Sequence, residues 1–91
     1  MDAPRVTEYR LRPGVRWVVE RSALTLTDGQ GRLLRVDYPE AAIWDLLSRG
    51  YSFAKVVVMT SHIAAVGVEV AEALVHGALE RWAAGGFIER A

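Results

Sequence analysis

Ala23-Leu24-Thr25-Leu26-Thr27-Asp28-Gly29-Gln30-Gly31-Arg32-Leu33-Leu34-Arg35-Val36 reads as two strands folded back on each other. Leu24 and Leu26 share one face and the β-branched threonines the other, a period of two that suits a strand. Asp28-Gly29-Gln30-Gly31 is a hairpin signal, because both glycines accept a positive φ at low cost. Working outward, Pro13-Gly14 marks a turn, and Arg21-Ser22 gives a short corner. Between them Val15, Trp17 and Val19 alternate with Arg16, Val18 and Glu20, as a half-buried strand requires. A three-stranded antiparallel meander over residues 15–36 is the expectation.

After Asp37 the period changes to a helical one, and helices are expected over residues 38–86. Asp37 is an expected N-cap, with Pro39 and Glu40 in the first turn, where a missing N–H and a negative charge are tolerated. Ala42, Ile43, Leu46 and Leu47 repeat at helical spacing, and Gly50 is a natural stop. Ser52 can cap a second helix with Phe53, Val56, Val57, Thr60 and Ile63 on one face. Val56-Val57-Val58-Met59 also suits a strand, so that alternative stays open. A last helix runs from near Gly67 to Gly85-Gly86. At about 100° per residue, Ala71, Val75, Ala78, Leu79 and Trp82 gather on one side with Val68. Glu69, Glu72, His76 and Glu80 take the other. Val70 and Leu74 widen the apolar arc to roughly 180°, against the ~100° stripe of a simple surface helix. Phe87 and Ile88 then close the chain with an apolar contact. The fold class is α+β, three strands and then three helices, in a single domain spanning residues 1–91.

Composition narrows the function. Lys+Arg and Asp+Glu each number 11, so the formal charge is zero, whereas nucleic-acid binders draw most of their affinity from a surplus of cations. Hydrophobic residues make up 52%, which excludes a disordered tail. No apolar run approaches the ~20 residues of a membrane span; Val56–Met59 is of the longest kind. The start, Met1-Asp2-Ala3-Pro4-Arg5, lacks the layout of a secretory signal, and a cytoplasmic protein is expected. Arg5, Arg10, Arg12 and Arg16 cluster near the N-terminus against Asp2 and Glu8. That cluster suits a solvated arm, or contact with an acidic peptide.

Little here supports catalysis. There is no cysteine and hence no thiolate site or disulfide. His62 follows Thr60-Ser61, but adjacent Ser and His do not face each other as an activated nucleophile must. His76 sits alone on a polar helix face, and no ligand set for zinc is present. Asp28-Gly29-Gln30-Gly31 lacks the Gly-Lys-Ser/Thr of a phosphate loop. No metal or cofactor is expected. Trp17, Trp44 and Trp82, one each on the first strand, first helix and last helix, are expected in the core. Trp44 is best placed for partial exposure, because Ile43, Leu46 and Leu47 already supply that helix's buried face.

What stands out is apolar surface without an internal use. Leu33-Leu34-Arg35-Val36 is apolar on both faces at one place and should form a sheet edge with unpaired N–H and C=O groups. Beside an over-wide helix, such an edge can take an extended peptide as an added strand. The other reading is that Leu33, Val70 and Leu74 serve a dimer interface or ordinary core.

Leu11-Arg12-Pro13-Gly14-Val15, the three strands, Ala41-Ala42-Ile43-Trp44-Asp45-Leu46-Leu47-Ser48-Arg49-Gly50 and Gly86-Phe87-Ile88 together resemble the PqqD-like family over about residues 10–89. The resemblance implies a winged-helix-like fold and a non-catalytic role. A domain of that kind binds the leader region of a ribosomally made precursor peptide and delivers it to a modifying enzyme, such as a radical enzyme, cyclase or leader protease. The leader adds to the third strand's edge beside the last helix. Mapped onto this chain, the site is Leu34 and Val36 with Val70, Leu74, Gly77 and Arg81, and Arg32 or Arg35 meets acidic leader residues at the rim. Two features depart from the family pattern. Asp37-Tyr38-Pro39 stands where an Asn-containing pair is usual, and Leu74 stands where an acid usually precedes Val75. The competing functions are a winged-helix DNA-binding module and a structural dimerisation domain forming a homodimer through the apolar edge.

Overall fold

The computed structural model describes residues 9–90. Arg5, Asp2 and Glu8 of the N-terminal charge cluster lie outside them. The elements are β1 (Tyr9–Leu11), β2 (Arg16–Glu20), β3 (Ala23–Thr27), β4 (Leu33–Val36), α1 (Glu40–Ser48), α2 (Phe53–Ala64), α3 (Val68–Ala84) and β5 (Ile88–Arg90). The meander is present in the order β2-β3-β4, with Trp17 opposite Leu26 and Leu26 opposite Leu34. The second helix is helical, and its N-cap Ser52 accepts a hydrogen bond from the Lys55 N–H at 3.1 Å. The chain bends by 114° between α2 and α3. Among the described residues no single helix is long and apolar enough to cross a membrane.

One core joins sheet and helices. Leu24, Leu26 and Val36 on the sheet meet Ile43, Trp44 and Leu47 of α1, Val56 and Val57 of α2, and Ala71, Val75, Ala78, Leu79 and Trp82 of α3. Phe87 and Ile88 are buried with them, as their position after the glycines leads one to expect. β1 and β5, which the sequence did not disclose, pair antiparallel as a second small sheet. Arg10 and Arg12 both reach Glu89 across it, at 3.0 and 3.6 Å.

Several expectations need correction. Trp44 is fully buried, not partly exposed. Its ring stands edge-on between Trp17 and Trp82, with centroids 5.6 and 5.1 Å away. α1 is packed against α2, α3 and β1 at once, so its buried arc is wider than one stripe. Val19 is exposed despite sharing a face with Trp17, and Val68 and Ile63 are exposed at the ends of their helices. The core ends before it reaches them. Asp37 does not cap α1 with its side chain: Pro39 holds the N-cap position, and the Asp37 carbonyl accepts from the Ala41 N–H at 2.9 Å. The carboxylate turns to the Arg35 guanidinium at 3.0 Å, an opposite charge two residues away.

Candidate peptide-binding groove

β4 is a border of its sheet, and its outward backbone groups follow from the register. The Asp28 N–H donates to the Arg32 carbonyl at 3.0 Å. In an antiparallel ladder hydrogen-bonded and non-bonded pairs alternate. Leu26–Leu34 and Leu24–Val36 are therefore bonded pairs, and Thr27–Leu33 and Thr25–Arg35 are not. The N–H and C=O groups of Leu33 and Arg35 point away from β3. They are what an incoming strand would find.

Alongside this border runs a groove of about 370 Å³, lined by Arg32 and β4 from Leu33 to Val36, by Glu40, by Arg81 and Trp82 of α3, by Gly85 just after it, and by Phe87. Its apolar lining combines half-buried Leu34 with buried Val36, Trp82 and Phe87. Five of the expected site residues, Arg32, Leu34, Arg35, Val36 and Arg81, therefore meet in one place. Val70, Leu74 and Gly77 lie outside this lining. They form a stripe with Arg81 at steps of three and four along α3, continuing the groove's helical wall toward the start of the helix. Val70 is exposed and Leu74 half-buried on that stripe. A Cβ at Gly77 would come within 3.3 Å of Arg81 Nη1, so the glycine leaves room for the guanidinium to lie along the helix.

Glu40, Trp82, Gly85 and Phe87 were not anticipated as lining. Trp82 and Gly85 follow Arg81 by one and four residues, which was the available signal. Phe87 arrives because α3 stops where it does. The Gly86 N–H donates to the Ala83 carbonyl at 3.1 Å and the Phe87 N–H to the Trp82 carbonyl at 2.9 Å. Gly86 itself adopts φ +85, a conformation costly for any residue with a Cβ.

Each cation of the groove has its own carboxylate. Arg32 pairs with Asp28 at 2.5 Å, Arg35 with Asp37 at 3.0 Å, and Arg81 with Glu40. The Arg35–Asp37 pair is well exposed on both sides, so it exchanges most cheaply for an external acid. The exposed face of α3 carries Glu69, Glu72 and Glu80, the wrong sign for a helix entering a DNA groove. His76 packs its ring against Phe53, with centroids 4.9 Å apart.

No known family model matches the chain, and no curated protein matches it in sequence. Solved structures do match. TbiB1, in complex with the TbiA(beta) leader peptide, superimposes with a TM-score of 0.82 at 20% identity, covering 88% of this chain and 94% of that one. A lasso peptide synthetase B1, complexed with the leader peptide, gives 0.81 at 24% identity, covering 91% and 99%. The chain has the PqqD-like fold. The likeness covers most of both chains and is one of fold. Within the PqqD-like fold, the lining residues named above belong to this chain's own sequence.

Proposed function

We propose that this protein binds the leader region of a ribosomally made precursor peptide by strand addition and delivers it, unchanged, to a separate modifying enzyme. The observation that carries the reading is the open β4 border, with Leu33 and Arg35 backbone groups directed outward beside an apolar groove. Backbone pairing supplies generic affinity, and the space over Leu34, Val36, Trp82 and Phe87 selects side chains. Arg32, Arg35 and Arg81 set the rim, with Leu74 and Val70 extending the contact along α3. Both similar solved structures are leader-peptide complexes, which supports this occupant over others. Likeness to a lasso peptide synthetase B1 makes lasso peptide assembly the first pathway to examine. The precursor is a ribosomal product, so we place the protein in the cytoplasm, where that product emerges.

The test is titration of the purified protein with leader peptides encoded beside its gene, followed by tryptophan fluorescence and amide shifts. Binding near 1 μM, about 8 kcal/mol, with the largest shifts at Leu33 and Arg35, is expected. Dissociation constants above about 100 μM for every neighbouring leader, or shifts confined to another surface, would overturn it.

A further inference from the structure

Among the described residues the opposite border of the same sheet is also unpaired, and its sequence complements itself. β2 reads Arg16-Trp17-Val18-Val19-Glu20 and lies at the far edge from β4. Val18 and Val19 are 62% and 66% exposed, although apolar residues on an unpaired edge invite pairing with another chain. The strand has no proline, lysine or inward-pointing charge, and its two charges, Arg16 and Glu20, are of opposite sign.

Register again fixes the outward groups. Glu20 and Ala23 flank the two-residue corner Arg21-Ser22, where Arg21 adopts φ 59. The pair next to such a corner is hydrogen-bonded. By alternation Val18–Thr25 and Arg16–Thr27 are bonded as well, leaving the N–H and C=O groups of Trp17 and Val19 pointing outward.

We infer that β2 is a self-association edge, pairing antiparallel with β2 of a second copy about a two-fold axis at Val18. In that register Trp17 of each copy faces Val19 of the other, and all four outward residues exchange hydrogen bonds. Arg16 then stands opposite Glu20 at both ends, and Val18 meets Val18 at the centre. These are the non-bonded pairs, in which side chains approach most closely. Shifting the register by two residues in either direction loses both charge pairs. Neither Arg16 nor Glu20 has an ion-pair partner among the described residues, so both are available. Such an interface is isologous and closed. It yields a continuous six-stranded sheet with the two β4 borders at its outer ends, so self-association leaves both peptide grooves open.

The test is sedimentation of the whole protein from about 10 μM to about 1 mM, because an interface this small is weak. A concentration-dependent dimer is expected. Arg16→Glu and Glu20→Arg should each weaken it about tenfold, since each turns two attractive pairs repulsive. The combined variant R16E/E20R should restore it, because the charges are exchanged but still opposed. A monomer throughout the range would overturn the inference, as would a combined variant no better than the single ones. So would slow exchange of the Trp17 and Val19 amides at the lowest concentration, which would mean the edge is covered within one chain. Leader-peptide titrations of the same variants should be unchanged, so failure of the dimer would leave the peptide-binding reading intact.

Discussion

The Asp28 side chain holds Arg32 in two ways, and Arg32 in turn reaches Gly85. Its carboxylate accepts from the Arg32 backbone N–H at 2.8 Å and from the guanidinium Nε at 2.5 Å, and the same guanidinium donates to the Gly85 carbonyl at 3.2 Å. The hairpin that starts β4 is thereby tied to the end of α3, and these are the two walls of the groove. A third donor, the Gln30 N–H at 2.8 Å, completes the turn.

This arrangement gives stability a defined pH dependence. Burial alone would raise the Asp28 carboxyl, but the hydrogen bonds from Arg32 and Gln30 outweigh it and hold the group below its ordinary 3.8. A carboxyl lowered on folding contributes stability that is complete above the ordinary value and lost as pH falls through the folded one. Asp28→Asn should therefore be less stable than the parent at pH 7, and the difference should shrink below about pH 4. Denaturant midpoints of both proteins from pH 2 to 7 measure this. A difference that stays constant across the range would show that the charge has no part in it.

Trp44 is the centre of the core. It touches Trp17 on β2 and Trp82 on the groove wall, both edge-on, an arrangement favourable to aromatic rings. Trp44→Ala should cost about 3–5 kcal/mol, a large share of the ~5–15 kcal/mol available to a small domain. Trp44→Phe retains part of the aromatic contact and should cost less. Chemical denaturation of the two variants decides the order. Equal losses would mean that neither the volume nor the ring contact kept by Phe contributes.

The parts of the molecule governed by local pattern were legible in the sequence. The 28–31 turn, the alternation of Leu24 and Leu26, Ser52 as a cap, and the apolar stripe of α3 each express a period or a turn within a few residues. The β4 half of the groove followed from them. Properties set by distant packing were not legible. β1 and β5 are three residues each, and the Arg10–Glu89 contact between them spans 79 positions, so no local period announces either. Trp44 was misplaced because one stripe of α1 was assumed to face the interior, while the tertiary fold covers a wider arc. Val19 shows the reverse: its alternation was sound, but the core stops short of it.

Pairing of every groove cation leads to a prediction about salt. Arg32, Arg35 and Arg81 are matched by Asp28, Asp37 and Glu40, so an acidic leader exchanges partners rather than meeting free positive charge. Leader affinity should fall no more than about threefold between about 0.05 and 0.5 M salt. A phosphate-tracking protein loses far more over a narrower range. Isothermal titration at several salt concentrations measures the slope, and a steep one would mean that rim charge, not the strand edge, supplies the affinity.

Proline substitution separates the edge from the ladder. The Arg35 N–H points outward from β4, whereas the Leu34 N–H belongs to the bonded pair with Leu26. Proline is tolerated in a sheet only where its missing donor faces away from the neighbouring strand. Arg35→Pro should therefore leave the circular dichroism spectrum unchanged while lowering leader affinity at least about tenfold, by removing a donor the added strand needs. Leu34→Pro should instead unfold the meander. Arg35→Ala controls for the lost guanidinium: since Arg35 already has Asp37, its affinity should fall much less than that of the proline variant. If proline and alanine at position 35 weaken binding equally, the side chain rather than the backbone is what the peptide uses.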